Sequence, residues 1–226
     1  MTQLRKYSLA GGVFYLLTFV SIPTLGLYRA VRGPNFVTGS GPDTPVILGV
    51  VLEMIVGLAG IGTAVALYPV VRRQGQARAL GFVASRTLEA ATIYFGIVSL
   101  MSIVTLRRTG AGAGALVVAQ GFAAQYQWTF FFGQSFIPAI NGVLLGTLMY
   151  QSRLVPRWLP TLGLIGAALL VAVWFAVLVG LVPAVGAVAA VAAVPIAVWE
   201  FSLGVYLTFW GFKDVPIIAT PQRTAA

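Results

Sequence analysis

The chain contains no cysteine, and that excludes disulfides, thiolate metal sites and cysteine nucleophiles. It contains no histidine either, which removes His-ligated haem, most zinc and copper chemistry, and any Ser-His or Cys-His nucleophile pair. Charge is scarce. Only 8% of the 226 residues are charged, against about a quarter in a soluble domain, so the composition excludes a soluble globular protein and a disordered chain alike. The two lysines, Lys6 and Lys213, lie outside the long apolar runs, so a retinal Schiff base in a bundle core is excluded. No strand precedes a glycine-rich phosphate loop of the Walker or Rossmann kind. No metal site and no cofactor is expected.

What is present is apolar. Hydrophobic residues make up 59% of the chain, and its mean hydropathy is +0.94. A hydrocarbon core needs roughly 20 mostly apolar residues per helix, and six runs qualify, at about 8–28, 46–70, 79–106, 126–150, 158–180 and 184–210. They are long and continuous, unlike the short alternating strands of a β-barrel. Gly33-Pro34, Gly41-Pro42, the Gly-Ala alternation of 110–114 and Pro156 mark junctions. The expected fold is all-α, one integral membrane bundle of six transmembrane helices over 1–226. The first run follows Arg5-Lys6 as a signal peptide would, but it is too long for an h-region and no small-x-small cleavage site closes it. It reads as a retained first span.

The 14 basic residues predict the orientation. With the N-terminus in the cytoplasm, Arg5, Lys6, Arg72, Arg73, Arg78, Arg153, Arg157, Lys213 and Arg223 fall on that side, against Arg29, Arg32, Arg107 and Arg108 outside. Both termini are thus expected in the cytoplasm of a bacterial cell membrane. The net charge of +9 reads as topology and attraction to anionic membrane lipids, not as nucleic-acid binding.

Of five acidic residues, Glu53, Glu89 and Glu200 fall inside spans, where an ionisable group marks a functional site by default. At a rise of ~1.5 Å per residue, Glu53 sits roughly 10 Å below the outer face, and Glu89 and Glu200 lie ~15 Å deep, near mid-membrane. Arg86 and Glu89 are three apart, so one helical face carries both as an ion pair. That pair serves either as a structural clamp or as a site for a phosphate or other anion. Glu53 and Glu200 have no basic neighbour a turn away on their own helices, which predicts neutral carboxylic acids. Glu53 lies in Gly49-x3-Glu53-x3-Gly57-x2-Gly60, a small-residue face suited to close packing, where a hydrogen bond to a neighbouring helix is the plain structural role. Gln127, Gln134 and Asn141 recur every seven residues in the fourth span, and Gln120 continues the spacing before it. Interhelical hydrogen bonds explain that seam as well as a polar pocket does. The cluster Trp128-Thr129-Phe130-Phe131-Phe132 reads as packing and interface anchor.

The segments Tyr68-Pro69-Val70-Val71-Arg72-Arg73 and Ala79-Leu80-Gly81-Phe82-Val83-Ala84-Ser85-Arg86-Thr87-Leu88-Glu89 carry a resemblance. So do Gly11-Gly12-x2-Tyr15-Leu16, Pro156-Arg157-Trp158-Leu159 and the late Pro195…Glu200…Gly204…Gly211-Phe212. They resemble a broad bacterial family of small membrane proteins known as a domain of unknown function, number 4386 of that series. The resemblance implies several helices and no reaction. In size the chain is also similar to the membrane-bound terpene cyclases of bacterial meroterpenoid pathways, although no motif carries over from them.

Cyclisation of a farnesyl-type chain by protonation needs a carboxylic acid, a dry cavity, aromatic faces and a final base, but no metal, His or Cys. Cation–π contact is worth ~2 kcal/mol where desolvated. On this expectation Glu200 is the proton donor and Glu53 the second candidate. Glu89, held ionised by Arg86, is the stabiliser or terminal base. Tyr94, Trp199 and Tyr206 are the cavity aromatics, and Arg86, Gln134 and Asn141 contact a lipid-soluble prenylated substrate. The alternatives are a proton-coupled small-molecule transporter, for which six helices would call for an oligomer, and an accessory membrane protein.

Overall fold

In the computed structural model, residues 1–110, 112, 114–184 and 186–216 are described. Six helices are long and apolar enough to cross a membrane: α1 (Gln3–Leu27), α2 (Thr44–Val71), α3 (Gln76–Arg108), α4 (Ala115–Ser152), α5 (Trp158–Leu178) and α6 (Ala187–Phe209). The fourth begins well before the expected 126. Gly110 and Gly112 take positive φ of 61° and 72°, turning the chain early, and the apolar stretch from Ala115 is already helical. Gln120 therefore lies within α4 and is exposed, outside the interior seam.

Each helix packs on the next in chain order, and α6 returns to α1, closing a ring. Leucine, valine and phenylalanine side chains such as Leu58, Val65, Leu88, Phe95 and Val98 face outward, as lipid contact requires. Inside, Tyr15, Leu67, Phe82, Leu145, Met149 and Trp199 form the main core. Small residues close the ring. A Cβ on Gly12 would come within 2.6 Å of the Thr208 backbone nitrogen, and one on Gly166 equally close to that of Ile196.

Both chain ends are tied to the same end of the bundle. Arg5 donates to the carbonyls of Leu207 (2.9 Å) and Thr208 (2.5 Å), and Ser8 to that of Leu207 (2.6 Å), so α1 supplies donors to the last turn of α6. The Lys213 N–H bonds the Leu154 carbonyl at 2.8 Å. Arg223, one of the basic residues assigned to this end, lies outside the described residues. At the opposite end Asp43 accepts from Arg107 (3.2 Å) and Arg108 (2.8 Å), fastening the start of α2 to the end of α3.

Two helices are interrupted where they approach the interior. The α1 helix passes through a 3-10 turn at Thr18–Ser21 and then Pro23. In α4 a π turn spans Phe132–Phe136, just before Pro138. Pro138 lacks the N–H that an α-helix would direct at the Gln134 carbonyl, and the wider turn falls there.

Candidate functional site

The interior holds two polar clusters. The first is centred on Arg86, which is 2% exposed in the first third of α3. Its Nη1 donates to Glu89 Oε2 at 3.0 Å, one turn along the same helix. Its Nη2 donates to Glu200 Oε1 on α6. Asn141 Nδ2 on α4 adds a 2.7 Å bond to Glu89 Oε2. The guanidinium lies 5.2 Å from the Tyr15 ring on α1 and 5.7 Å from that of Phe82. Arg86 thus joins four helices. Glu200, with no cation on its own helix, finds one 114 residues away in sequence. This corrects the expectation of a carboxyl without a basic partner.

The second cluster lies nearer the end away from the termini. Glu53 on α2 is 1% exposed, and its Oε1 accepts from the Tyr126 hydroxyl at 2.9 Å and from Gln134 Nε2 at 3.5 Å. The expected bond from Glu53 to a neighbouring helix is present. Tyr28 stands beside the same carboxyl. It is held there by Gly49, where a Cβ would come within 2.3 Å of its ring. Glu53 Oε2 and the Tyr28 hydroxyl are both buried without a partner.

Tyr28, Tyr126 and Gln134 also form part of the wall of a cavity of about 440 Å³. Phe130 and Phe131 add aromatic faces, Gln127 and Ser135 come from the same α4 segment, and Ala189, Ala190 and Ala193 come from α6. Arg32 lies at its rim, exposed, with Nε donating to the Tyr28 carbonyl at 3.2 Å. The π turn presents Gln134 and Ser135 to this cavity, consistent with the enrichment of such turns at functional sites.

Of the nine candidate site residues, Arg86, Glu89, Asn141 and Glu200 meet in the first cluster, and Glu53 and Gln134 in the second. The other three stand apart. Tyr94 packs over Gly57 between α2 and α3 and donates to the Met54 carbonyl at 3.2 Å. Trp199 is wholly buried against Gly163 and edge-on to Tyr15, a core residue and not a cavity wall. Tyr206 stacks on Trp210 at 5.8 Å, in an apolar groove near the termini. In each case the aromatic follows its own helix face, which spacing from the nearest Glu does not fix. Phe131 and Phe132 pack on Trp174, as expected of the aromatic run, but Phe130 and Phe131 also line the cavity. Tyr28, Arg32 and Tyr126 are the residues that sequence reasoning missed. Tyr126 carried one signal, its position one residue before the Gln127–Gln134 seam.

The family described as "Domain of unknown function (DUF4386)" matches residues 10–211, from α1 through α6 and across both clusters. The chain belongs to that family. No curated protein and no solved structure matches this DUF4386 chain. Among its described residues no three acidic side chains gather as a metal-binding group.

Proposed function

We propose that the protein is a membrane-bound enzyme that cyclises a farnesyl-type prenyl chain by protonation, in a bacterial cell membrane with both termini cytoplasmic. One observation carries this reading. A buried carboxyl, Glu53, is bound by the residues that make the aromatic wall of a 440 Å³ cavity within the bundle. The cavity is of the size class that takes small lipid-soluble ligands.

Glu53 takes the role of acid in place of Glu200. Glu200 is held by the Arg86 guanidinium, whereas the hydrogen-bond partners of Glu53 are a neutral hydroxyl and a neutral amide beside the cavity wall. Tyr126 and Gln134 fix its Oε1, leaving Oε2 to carry the proton beside the Tyr28 hydroxyl. The proton passes from Oε2 through that hydroxyl to a terminal alkene carbon, and a second alkene closes the ring on the cation. Loss of a proton then gives an isomer of unchanged mass and returns Glu53 to its acid form. The faces of Tyr28, Tyr126 and Phe130 stabilise the passing cation. Arg32 at the rim suits a polar head on the substrate.

Membranes containing the protein should convert a farnesylated substrate to a cyclised isomer of the same mass, detected by chromatography with mass spectrometry. Glu53→Gln should reduce conversion at least 100-fold, in line with the loss of a general acid. Unchanged substrate in wild-type membranes across a panel of prenylated compounds would overturn the proposal. A proton-coupled transporter is the second reading, favoured by the two carboxyls gathered around Arg86 inside the bundle. Uptake by proteoliposomes along a proton gradient would support that reading instead.

A further inference from the structure

Two carboxylates and one guanidinium meet inside the bundle, and among the described residues no second cation balances them. The charged and titratable groups facing one another there are Arg86 and Glu89 of α3, Glu200 of α6 and Tyr15 of α1. α4 contributes only the neutral Asn141. With Glu89 and Glu200 both ionised, the cluster carries one uncompensated negative charge in a medium that tolerates none cheaply.

The hydrogen bonds are also incomplete. Asn141 is fully buried, and its Nδ2 is committed to Glu89, yet its Oδ1 has no donor. The Tyr15 hydroxyl and the Arg86 Nε–H, also buried, make no hydrogen bond either. Glu89 uses only Oε2, and Glu200 only Oε1, in the hydrogen bonds of the cluster. A single proton on either free carboxylate oxygen cancels the surplus charge and offers a donor to the unpartnered Asn141 Oδ1.

We infer that the Arg86–Glu89–Glu200 cluster is a binding site for one exchangeable proton, shared between the two carboxylates, with Asn141 and Tyr15 as the groups that receive its hydrogen bond. The side chains of Glu89 and Glu200 are 10% and 14% exposed, against 2% for Arg86. Ala193, Ala197 and Glu200 follow one face of α6 at spacings of four and three residues, and Ala193 lines the 440 Å³ cavity. That face leads from the cavity toward the proton site. This inference does not depend on what the cavity binds.

The test is infrared spectroscopy of the purified full-length chain in an ester-free detergent, reading the C=O stretch of protonated carboxyls and its shift in heavy water. Glu53→Gln serves as the background, so that the carboxyl of the other cluster does not contribute. At neutral pH this background should retain a band of one carboxylic acid. Adding Glu89→Gln or Glu200→Gln should remove that band, because each leaves a neutral Arg–Glu pair that needs no proton. Glutamine has the shape of a protonated glutamate, so each single replacement in the otherwise native chain should also fold and melt close to wild type. A missing band in the background, a band that survives either second replacement, or failure of either single replacement to fold would each overturn the inference.

Discussion

Arg86 is a single side chain on which four helices converge, and its value lies in its shape as much as its charge. The planar fork reaches Glu89 with one nitrogen and Glu200 with the other. Arg86→Gln leaves both buried carboxylates without a cation and should cost about 3–5 kcal/mol of stability. Arg86→Lys keeps the charge but cannot span both partners, so it should also lower the melting temperature in detergent, by less. An Arg86→Lys variant melting like wild type would mean that charge alone matters. The two bonds differ in how far the sequence could foretell them. Glu89 sits three residues from Arg86, and helix geometry brings them together whatever the rest of the fold does. Glu200 is on the last helix, and only the closing of the ring of helices delivers it. The absence of a basic residue near Glu200 in sequence therefore said nothing of its partner in space.

The helices were legible because the apolar runs are long; their interruptions and contacts were less so. Pro138 signalled a disturbance in α4, but whether it would kink the helix or widen one turn depends on the neighbours that take up the freed backbone groups. The Gly49–Gly60 face was readable as a packing surface. Its particular occupants, Tyr28 over Gly49 and Tyr94 over Gly57, come from other helices and were not. Where a glycine meets backbone, the contact can be tested directly. A Cβ at Gly166 would lie 2.6 Å from the Ile196 nitrogen, an atom that no rotamer change can move aside. Gly166→Ala should therefore push α5 and α6 apart and destabilise the protein by about 1–3 kcal/mol. Gly121 is on α4 with nothing within 4 Å of an added Cβ, so Gly121→Ala should be neutral or slightly stabilising through helix propensity. Thermal denaturation of the two variants side by side separates a packing effect from a general intolerance of alanine.

At the scale of the molecule, an even number of spans puts both chain ends on one side of the membrane, but the ring of helices has no preference for which side. The basic residues carry that information. Among the described residues, Arg5, Lys6, Arg72, Arg73, Arg78, Arg153, Arg157 and Lys213 gather at the end that holds the termini. Arg29, Arg32, Arg107 and Arg108 lie at the other, where Asp43 accepts from two of them. Partial neutralisation by Asp43 deepens the asymmetry in favour of cytoplasmic termini, although acidic residues count for little in orientation. With cytoplasmic termini, as proposed, the cavity with Tyr28 and Arg32 would open toward the outside and the Arg86 cluster would lie on its inner side. Because the chain has no cysteine, one introduced thiol reports its own position without a background. Ser40 and Gln76 are both exposed, at opposite ends of the bundle. In intact cells a membrane-impermeant maleimide should label Ser40→Cys, and should reach Gln76→Cys only after the membrane is opened. The reverse pattern would put the cavity mouth in the cytoplasm, and with it the side from which a substrate enters.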